Sequence, residues 1–237
     1  MNCPQCKKGY YFITKNLGVE CECKKCGYLG KFKAPSYENY HQERYSYERV
    51  RTINNDPLLK KIIIDLDIKK SDTVLDYGCG AGDYTFQLSQ IAKKTVGLDI
   101  NTKRAEDRFP TIKFIQDNGM GTKYFRSNSI DKIIAINVIE HIHDFEGLLK
   151  KLQGILKPNG RLFITTYDTD FILHAVLNDS SHVIEWDKAE FKNLINRFFK
   201  VNKAYNYGSF FNYIPFNKLL VKFLKPELCI LASPKRQ

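Results

Sequence analysis

The chain has 237 residues, 43% hydrophobic and 27% charged, a balance that excludes a disordered or fibrous protein. No segment approaches the roughly 18 apolar residues of a membrane span, and no apolar run follows Met1-Asn2-Cys3-Pro4 as a secretory signal would require, so a cytoplasmic location is expected. The net charge is +11, with the excess in the two ends; residues 71–170 carry equal numbers of acidic and basic side chains. That distribution suits a polyanionic partner, and equally a solvated lysine-rich surface.

Five of the 7 cysteines fall within the first 26 residues. In a cytosolic chain such clustering points to metal before disulfides. Cys3-x-x-Cys6 and Cys23-x-x-Cys26 are spaced to pinch one tetrahedral Zn²⁺ between two turns, with the β-prone Tyr10-Tyr11-Phe12-Ile13 between them. Cys21 is a fifth candidate that can replace Cys23. Four thiolates close the coordination shell, so this metal would be structural. Residues 1–33 resemble a zinc ribbon. A module this small needs the metal, worth of order 10–16 kcal/mol in comparable peptides. A redox Cys-x-x-Cys is the weaker alternative, since two pairs are present.

Residues 34–70 read as a helical connector or lid. Ala34-Pro35-Ser36 is a linker, and Tyr40 and Tyr45 are placed to fold over a ligand. Asn55-Asp56-Pro57 starts a helix with proline in its first turn, followed by Leu58, Leu59, Ile62, Ile63 and Leu66 at helical spacing.

A third segment, 71–237, begins with the strand Thr73-Val74-Leu75-Asp76 and runs straight into Tyr77-Gly78-Cys79-Gly80-Ala81-Gly82, then a helix from Tyr84 to Ala92. The next strand, Lys94–Asp99, ends in an acid placed to accept both hydroxyls of a ribose. Strand, glycine loop, helix, strand and acid occur in order, which makes the pattern specific. This stretch resembles the class I S-adenosylmethionine-dependent methyltransferases, whose nucleotide loop has the same E/D-x-G-x-G-x-G spacing. A dinucleotide dehydrogenase would need G-x-G-x-x-G, and position 83 is Asp.

The resemblance extends over roughly residues 71–200. Strands are expected at 112–116, ending at Asp117-Asn118; at 131–136, ending at Asn137-Val138-Ile139-Glu140-His141; and at 161–166, after a helix from Phe145 to Leu156 and a Lys157-Pro158-Asn159-Gly160 turn. A late helix begins near Glu185–Phe191. Strands near 199–205 and 227–233 complete the set. The resemblance implies an α/β, Rossmann-like, seven-stranded sheet with its last strand antiparallel. It also implies S-adenosylmethionine bound by Asp76, Gly78, Cys79, Gly80, Gly82, Asp99, Ile100, Asp117, Asn118 and Asn137.

Because a methyl sulfonium is already activated, the protein mainly aligns it with a nucleophile. His141 is the candidate general base, lying just past the tip of the fourth strand. Alternatively it caps the following helix or lines the cofactor pocket. Glu140 either orients His141, binds a ligand, or is a solvated carboxylate. His143 and Asp144 read as turn residues. No N-P-P-Y-type motif follows the fourth strand, and no nucleophilic cysteine does either; Cys79 and Cys229 read as packed residues. The aromatics Tyr205, Tyr207, Phe210, Phe211, Tyr213 and Phe216 either line an acceptor pocket or form core.

Three functional readings remain at this level. The first is a methyltransferase acting on a small-molecule or glycan acceptor through oxygen or nitrogen. The second is an RNA methyltransferase that docks through its basic zinc ribbon. The third is a non-catalytic binding module, against which the intact Asp76, Gly78, Gly80, Gly82 and Asp99 argue.

Overall fold

The computed structural model describes residues 12–16, 20–23, 29–30, 52, 56–117, 122–170, 182–207 and 227–235. In the N-terminal region these residues trace three short strands, β1 (Phe12–Asn16), β2 (Glu20–Cys23) and β3 (Leu29–Gly30), in an antiparallel meander with Phe12 opposite Cys23 and Cys21 opposite Gly30. Cys21 and Cys23 both belong to β2. The other expected zinc ligands, Cys3, Cys6 and Cys26, lie outside the described residues. So do Tyr40, Tyr45, Asn118, Phe210, Phe211, Tyr213 and Phe216.

The main body is a seven-stranded sheet. Its strands are β4 (Thr73–Tyr77), β5 (Lys94–Asp99), β6 (Lys113–Gln116), β7 (Ile130–Ile136), β8 (Leu156–Tyr167), β9 (Phe199–Tyr207) and β10 (Glu227–Pro234), in the order β6-β5-β4-β7-β8-β10-β9. The first five are parallel, and β10 runs antiparallel to both β8 and β9. This is the sheet expected from the sequence, with its last strand reversed.

Strands buried on both faces need continuous apolar runs, and these have them. Side chains alternate between two cores with period two. Ile133, Ala135, Leu162 and Ile164 face the helices α4 (Phe145–Ile155) and α5 (Lys188–Phe198); Val74, Ile134, Phe163, Cys229 and Leu231 face α1 (Pro57–Leu66) and α2 (Asp83–Ser89). A shorter helix, α3 (Lys103–Arg108), follows β5. Cys229 is fully buried in this second core, as its sequence context suggested.

Helix α1 starts where Asp56 and Pro57 indicate. The Asp56 carboxylate accepts from the backbone N–H of Leu58 at 2.9 Å and of Leu59 at 3.2 Å, the N-cap arrangement. It also accepts from the Tyr84 hydroxyl at 2.8 Å, tying α1 to α2. Leu58, Leu59, Ile62 and Leu66 are buried, so this helix, assigned from sequence to a connector, shares the core of the sheet.

The Lys157–Gly160 segment differs from expectation. It is not a turn ahead of the strand but part of β8, which begins at Leu156 directly after α4. Six residues of β8, Leu156 to Arg161, stand opposite three of β7, Ile130 to Lys132. Proline lacks an N–H, so it is accommodated in this irregular stretch instead of in the regular ladder. The Lys157 ammonium anchors the irregularity on Asp131 at 2.8 Å.

The late helix α5 is capped by Asp187 and Glu190 in a reciprocal capping box, with Trp186 buried just before it.

Candidate active site

The chain leaves β4 for β5 on one side and later returns to place β7 on the other. The carboxyl ends of β4 and β7 therefore flank the point where the strand order reverses, the usual ligand crevice of an open parallel sheet. The glycine loop sits there. Gly78 and Gly82 have φ of +75° and +81°, left-handed values that a side chain resists. A Cβ on Gly78 would stand 2.5 Å from Val138, and one on Gly82 2.9 Å from Ala105 and Phe114.

Backbone hydrogen bonds hold the loop to β5: Gly78 N–H donates to the Leu98 carbonyl at 2.7 Å and Cys79 N–H to the same oxygen at 3.1 Å. Arg108 donates to the Ala81 carbonyl at 2.9 Å and pairs with Asp83 at 2.7 Å, bracing the loop from α3.

Asp99 lies at the tip of β5. One carboxylate oxygen accepts from Gly80 N–H at 2.8 Å, the other from Asn101 N–H at 3.1 Å. Each oxygen keeps a second lone pair for a ligand hydroxyl. Ile100 beside it is exposed, a flat apolar surface next to an acid. Asp117 follows β6, is buried, and meets Lys123 at 3.0 Å. Burial pushes the Tyr77 phenol up, with the Asp117 and Asp99 charges adding to the rise.

Asp76 lies on β4, just before the loop. It is buried beneath the loop and accepts from the Thr85 hydroxyl of α2 at 2.6 Å. Burial pushes its carboxyl up to about 7, with the Asp99 charge adding to the rise. Cys79 is buried too, and burial raises its thiol well above the ordinary value, so it is a packed residue, not a nucleophile.

Asn137 ends β7 with a φ of +50°. Its N–H lies 3.1 Å from the Thr165 hydroxyl, which donates to the Asn137 side-chain oxygen at 2.8 Å. This clasp joins the tips of β7 and β8.

Beyond Asn137 the chain makes a short 3₁₀ turn, Ile139–His141. Glu140 is not a solvated carboxylate: it is fully buried, and neither oxygen has a hydrogen-bond partner of good geometry among the described residues. Burial pushes it up to about 7, offset in part by His182 and the nearby Thr166 hydroxyl. The Glu140 carbonyl accepts from Val183 N–H at 2.9 Å, which brings the segment after residue 181 over the turn. His141 is half-buried, and its ring meets His182 edge-to-face at 4.9 Å. The helix cap considered for His141 is supplied instead by Asp144, which accepts from Gly147 N–H at 2.9 Å. Burial lowers the His143 pKa.

His182 and Glu185 are the site residues that sequence reasoning missed. The His182 Nδ1 lies 2.8 Å from the Glu185 carboxylate, and Tyr167 stacks on the ring at 5.8 Å. The available signal was a histidine three residues from an acid in an otherwise apolar stretch ahead of a helix.

The donor set indicates the ligand chemistry. Buried carboxylates line the loop where a dinucleotide site must receive a pyrophosphate, so anions are disfavoured there. A ligand offering hydroxyls, an amine and a cationic centre fits. A family model described as a methyltransferase domain matches residues 47–207. The chain belongs to this methyltransferase family. It is 26% identical over 235 residues to an uncharacterised protein of Methanocaldococcus jannaschii, across 86% of this chain and 92% of that one. It is also 26% identical over 123 residues to a ubiquinone biosynthesis O-methyltransferase of Bradyrhizobium diazoefficiens, a match that spans about half of each protein, 48% of this chain and 47% of the other. Among solved structures, a SAM-dependent methyltransferase from Archaeoglobus fulgidus superposes with a TM-score of 0.59 at 16% identity, covering 74% of this chain and 91% of that one, which shows the shared fold. The chain is therefore an S-adenosylmethionine-dependent methyltransferase by family. Among the described residues, no helix is long and apolar enough to cross a membrane.

Proposed function

We propose that this methyltransferase acts on a small-molecule acceptor through an oxygen or nitrogen nucleophile. The observation that carries the reading is the gathering of Glu140, His141 and His182 on the same sheet edge as the glycine loop, across the β4–β7 crevice. In this reading the methyl donor lies over β4, β5 and β6. Gly78, Cys79, Gly80 and Gly82 follow its methionine portion with backbone, while Asp76 braces the loop from beneath. Asp99 takes the ribose hydroxyls, Ile100 lies against the adenine, and Asp117 with Asn118 receives its amine. Asn137 forms the wall between donor and acceptor.

Bound S-adenosylmethionine supplies a methyl group already activated on a sulfonium sulfur. The protein's share is to align the acceptor, exclude water and handle the acceptor's proton. His141 and Glu140 are the catalytic candidates for that proton. A relative named for ubiquinone biosynthesis O-methylation supports a small hydroxylated acceptor.

The N-terminal cysteines Cys3, Cys6, Cys23 and Cys26 would hold one structural Zn²⁺, a reading supported by the antiparallel meander that carries Cys21 and Cys23. The free Cys79 and Cys229 and the balance of composition support a cytoplasmic enzyme.

The test uses methyl-labelled S-adenosylmethionine with the purified chain and extract from its own source, fractionated into small molecules, RNA and protein. Label is expected in the small-molecule fraction, and Asp99→Ala should abolish it. Label confined to RNA would refute the acceptor class; a chain that does not bind S-adenosylhomocysteine would refute the placement of the donor.

A further inference from the structure

A buried carboxylate without a hydrogen-bond partner is costly and calls for a counter-charge. Glu140 is such a group: it is at 0% exposure, and among the described residues neither oxygen has a hydrogen-bond partner of good geometry. It does not stand alone. One ligand atom each from Glu140, His141 and His182 lie within 4.8 Å of one another. The two histidines come from separate elements, one from the turn after β7 and one from the segment that leads into α5. The backbone bond from Val183 N–H to the Glu140 carbonyl holds those elements together.

We propose that Glu140, His141 and His182 bind a divalent transition-metal cation, Zn²⁺ or one of similar ligand preference, at the acceptor end of the site. Two imidazoles and one carboxylate form the donor set that such ions favour over Mg²⁺ or Ca²⁺, which take all-oxygen shells. Three protein ligands with the remaining positions open is the pattern of a reactive metal, unlike the closed four-thiolate shell of a structural one.

The surroundings of His182 fit the same role. Its Nδ1 hydrogen-bonds the Glu185 carboxylate at 2.8 Å, which fixes the proton on that nitrogen and presents Nε2 as the lone pair. A ligating histidine held by an outer carboxylate is the usual orienting arrangement in metal sites. Tyr167 stacked on the ring fixes its plane. Ligand atoms around a metal with bonds near 2.0–2.1 Å stand about 3.3 Å apart. Binding therefore requires the cluster to contract by up to about 1.5 Å, within reach of side-chain rotation. The ion's open positions would receive the acceptor's heteroatom, orient a lone pair toward the methyl carbon and lower its pKa so that its proton passes to solvent; with metal bound, this replaces proton removal by His141 or Glu140, whose lone pairs are then engaged.

This inference rests on reading the β7–β8 edge as the acceptor side, and its test separates the two. The full-length chain is titrated with Co²⁺ and followed by absorption. Cobalt held by the N-terminal cysteines gives an intense thiolate charge-transfer band in the near ultraviolet; cobalt on two imidazoles and a carboxylate gives only weak visible bands. The expected result is a second equivalent of cobalt with the latter spectrum. Glu140→Gln, His141→Gln and His182→Gln should each lose that equivalent while still binding S-adenosylhomocysteine by calorimetry, which certifies folding. Glu185→Gln, which leaves the three ligands in place, should weaken cobalt binding 10- to 100-fold. A spectrum saturating with thiolate ligation alone, or a second equivalent indifferent to all four substitutions, would overturn the proposal. A chain that takes the second cobalt but labels no acceptor keeps the metal site and refutes the proposed function instead.

Discussion

Asp76→Asn isolates one buried carboxyl whose titration opposes folding. The substitution keeps the size of the side chain and an oxygen that can accept from the Thr85 hydroxyl, now at 2.6 Å. In the unfolded chain Asp76 loses its proton near the ordinary 3.8; in the folded chain it does so at about 7. Between those values the folded state holds one proton more than the unfolded state, so stability falls as pH rises. The penalty is absent below pH 4 and complete above about pH 7.5. A rise of about three pH units is worth about 4 kcal/mol. Asparagine cannot ionise, so the variant escapes this loss. The two proteins should unfold alike near pH 4. At pH 8 the variant should be the more stable, by up to about 4 kcal/mol, or about 2 M in the urea midpoint if the slope is about 2 kcal/mol/M. Urea unfolding of both proteins at pH 4.5, 6 and 8 measures this. Glu140, also pushed up by burial, titrates in both and cancels in the difference. A constant offset between the two proteins at all three pH values, or a wild type more stable at pH 8, would refute the burial argument.

Three further outcomes follow from the same geometry. Gly78→Ala places a Cβ 2.5 Å from Val138 in a left-handed backbone, which costs about 1–2 kcal/mol from conformation alone; calorimetry should show a weakened S-adenosylhomocysteine affinity that Val138→Ala restores only in part. Asp99→Asn has one oxygen where Asp99 uses two to accept from Gly80 and Asn101 N–H, and charge-assisted bonds are worth about 1.5–3 kcal/mol; its Kd for S-adenosylhomocysteine should rise more than tenfold by calorimetry, and thermal unfolding should show a loss of stability as well. Asp187→Ala removes the capping box of α5, about 1 kcal/mol; thermal unfolding should detect the loss while S-adenosylhomocysteine affinity stays as in the wild type.

Local chemistry was legible from the sequence. The order strand, Gly78–Gly82 loop, helix, strand, Asp99 is a contiguous signal, because each element is set by its own neighbours. The start of α1 at Asp56-Pro57 was legible for the same reason, since an N-cap acts within three residues; α5 was placed only as a late helix near Glu185–Phe191, and its cap at Asp187 is a finding of the structure. Strands were expected where β7, β8 and β10 lie, and the structure fills both their faces with alternating side chains.

Non-local contacts decided the rest. No spacing rule ties Glu140 to His182, which are 42 residues apart; the return of the chain past β8 lays one over the other, and that contact turns a carboxylate that reads as solvated into a buried one. The parity of β4 turns Asp76 toward Thr85 of α2, a contact that its place in the sequence does not show. The Lys157–Gly160 stretch reads as a turn by composition, but pairing with β7 draws it into the sheet as an irregular strand. In this protein the sequence by itself determined the order of elements and the glycine loop with its acid, because those depend on neighbouring residues. Burial, charge state and the meeting of Glu140, His141 and His182 were decided only by tertiary structure, because they depend on what the fold packs against each side chain.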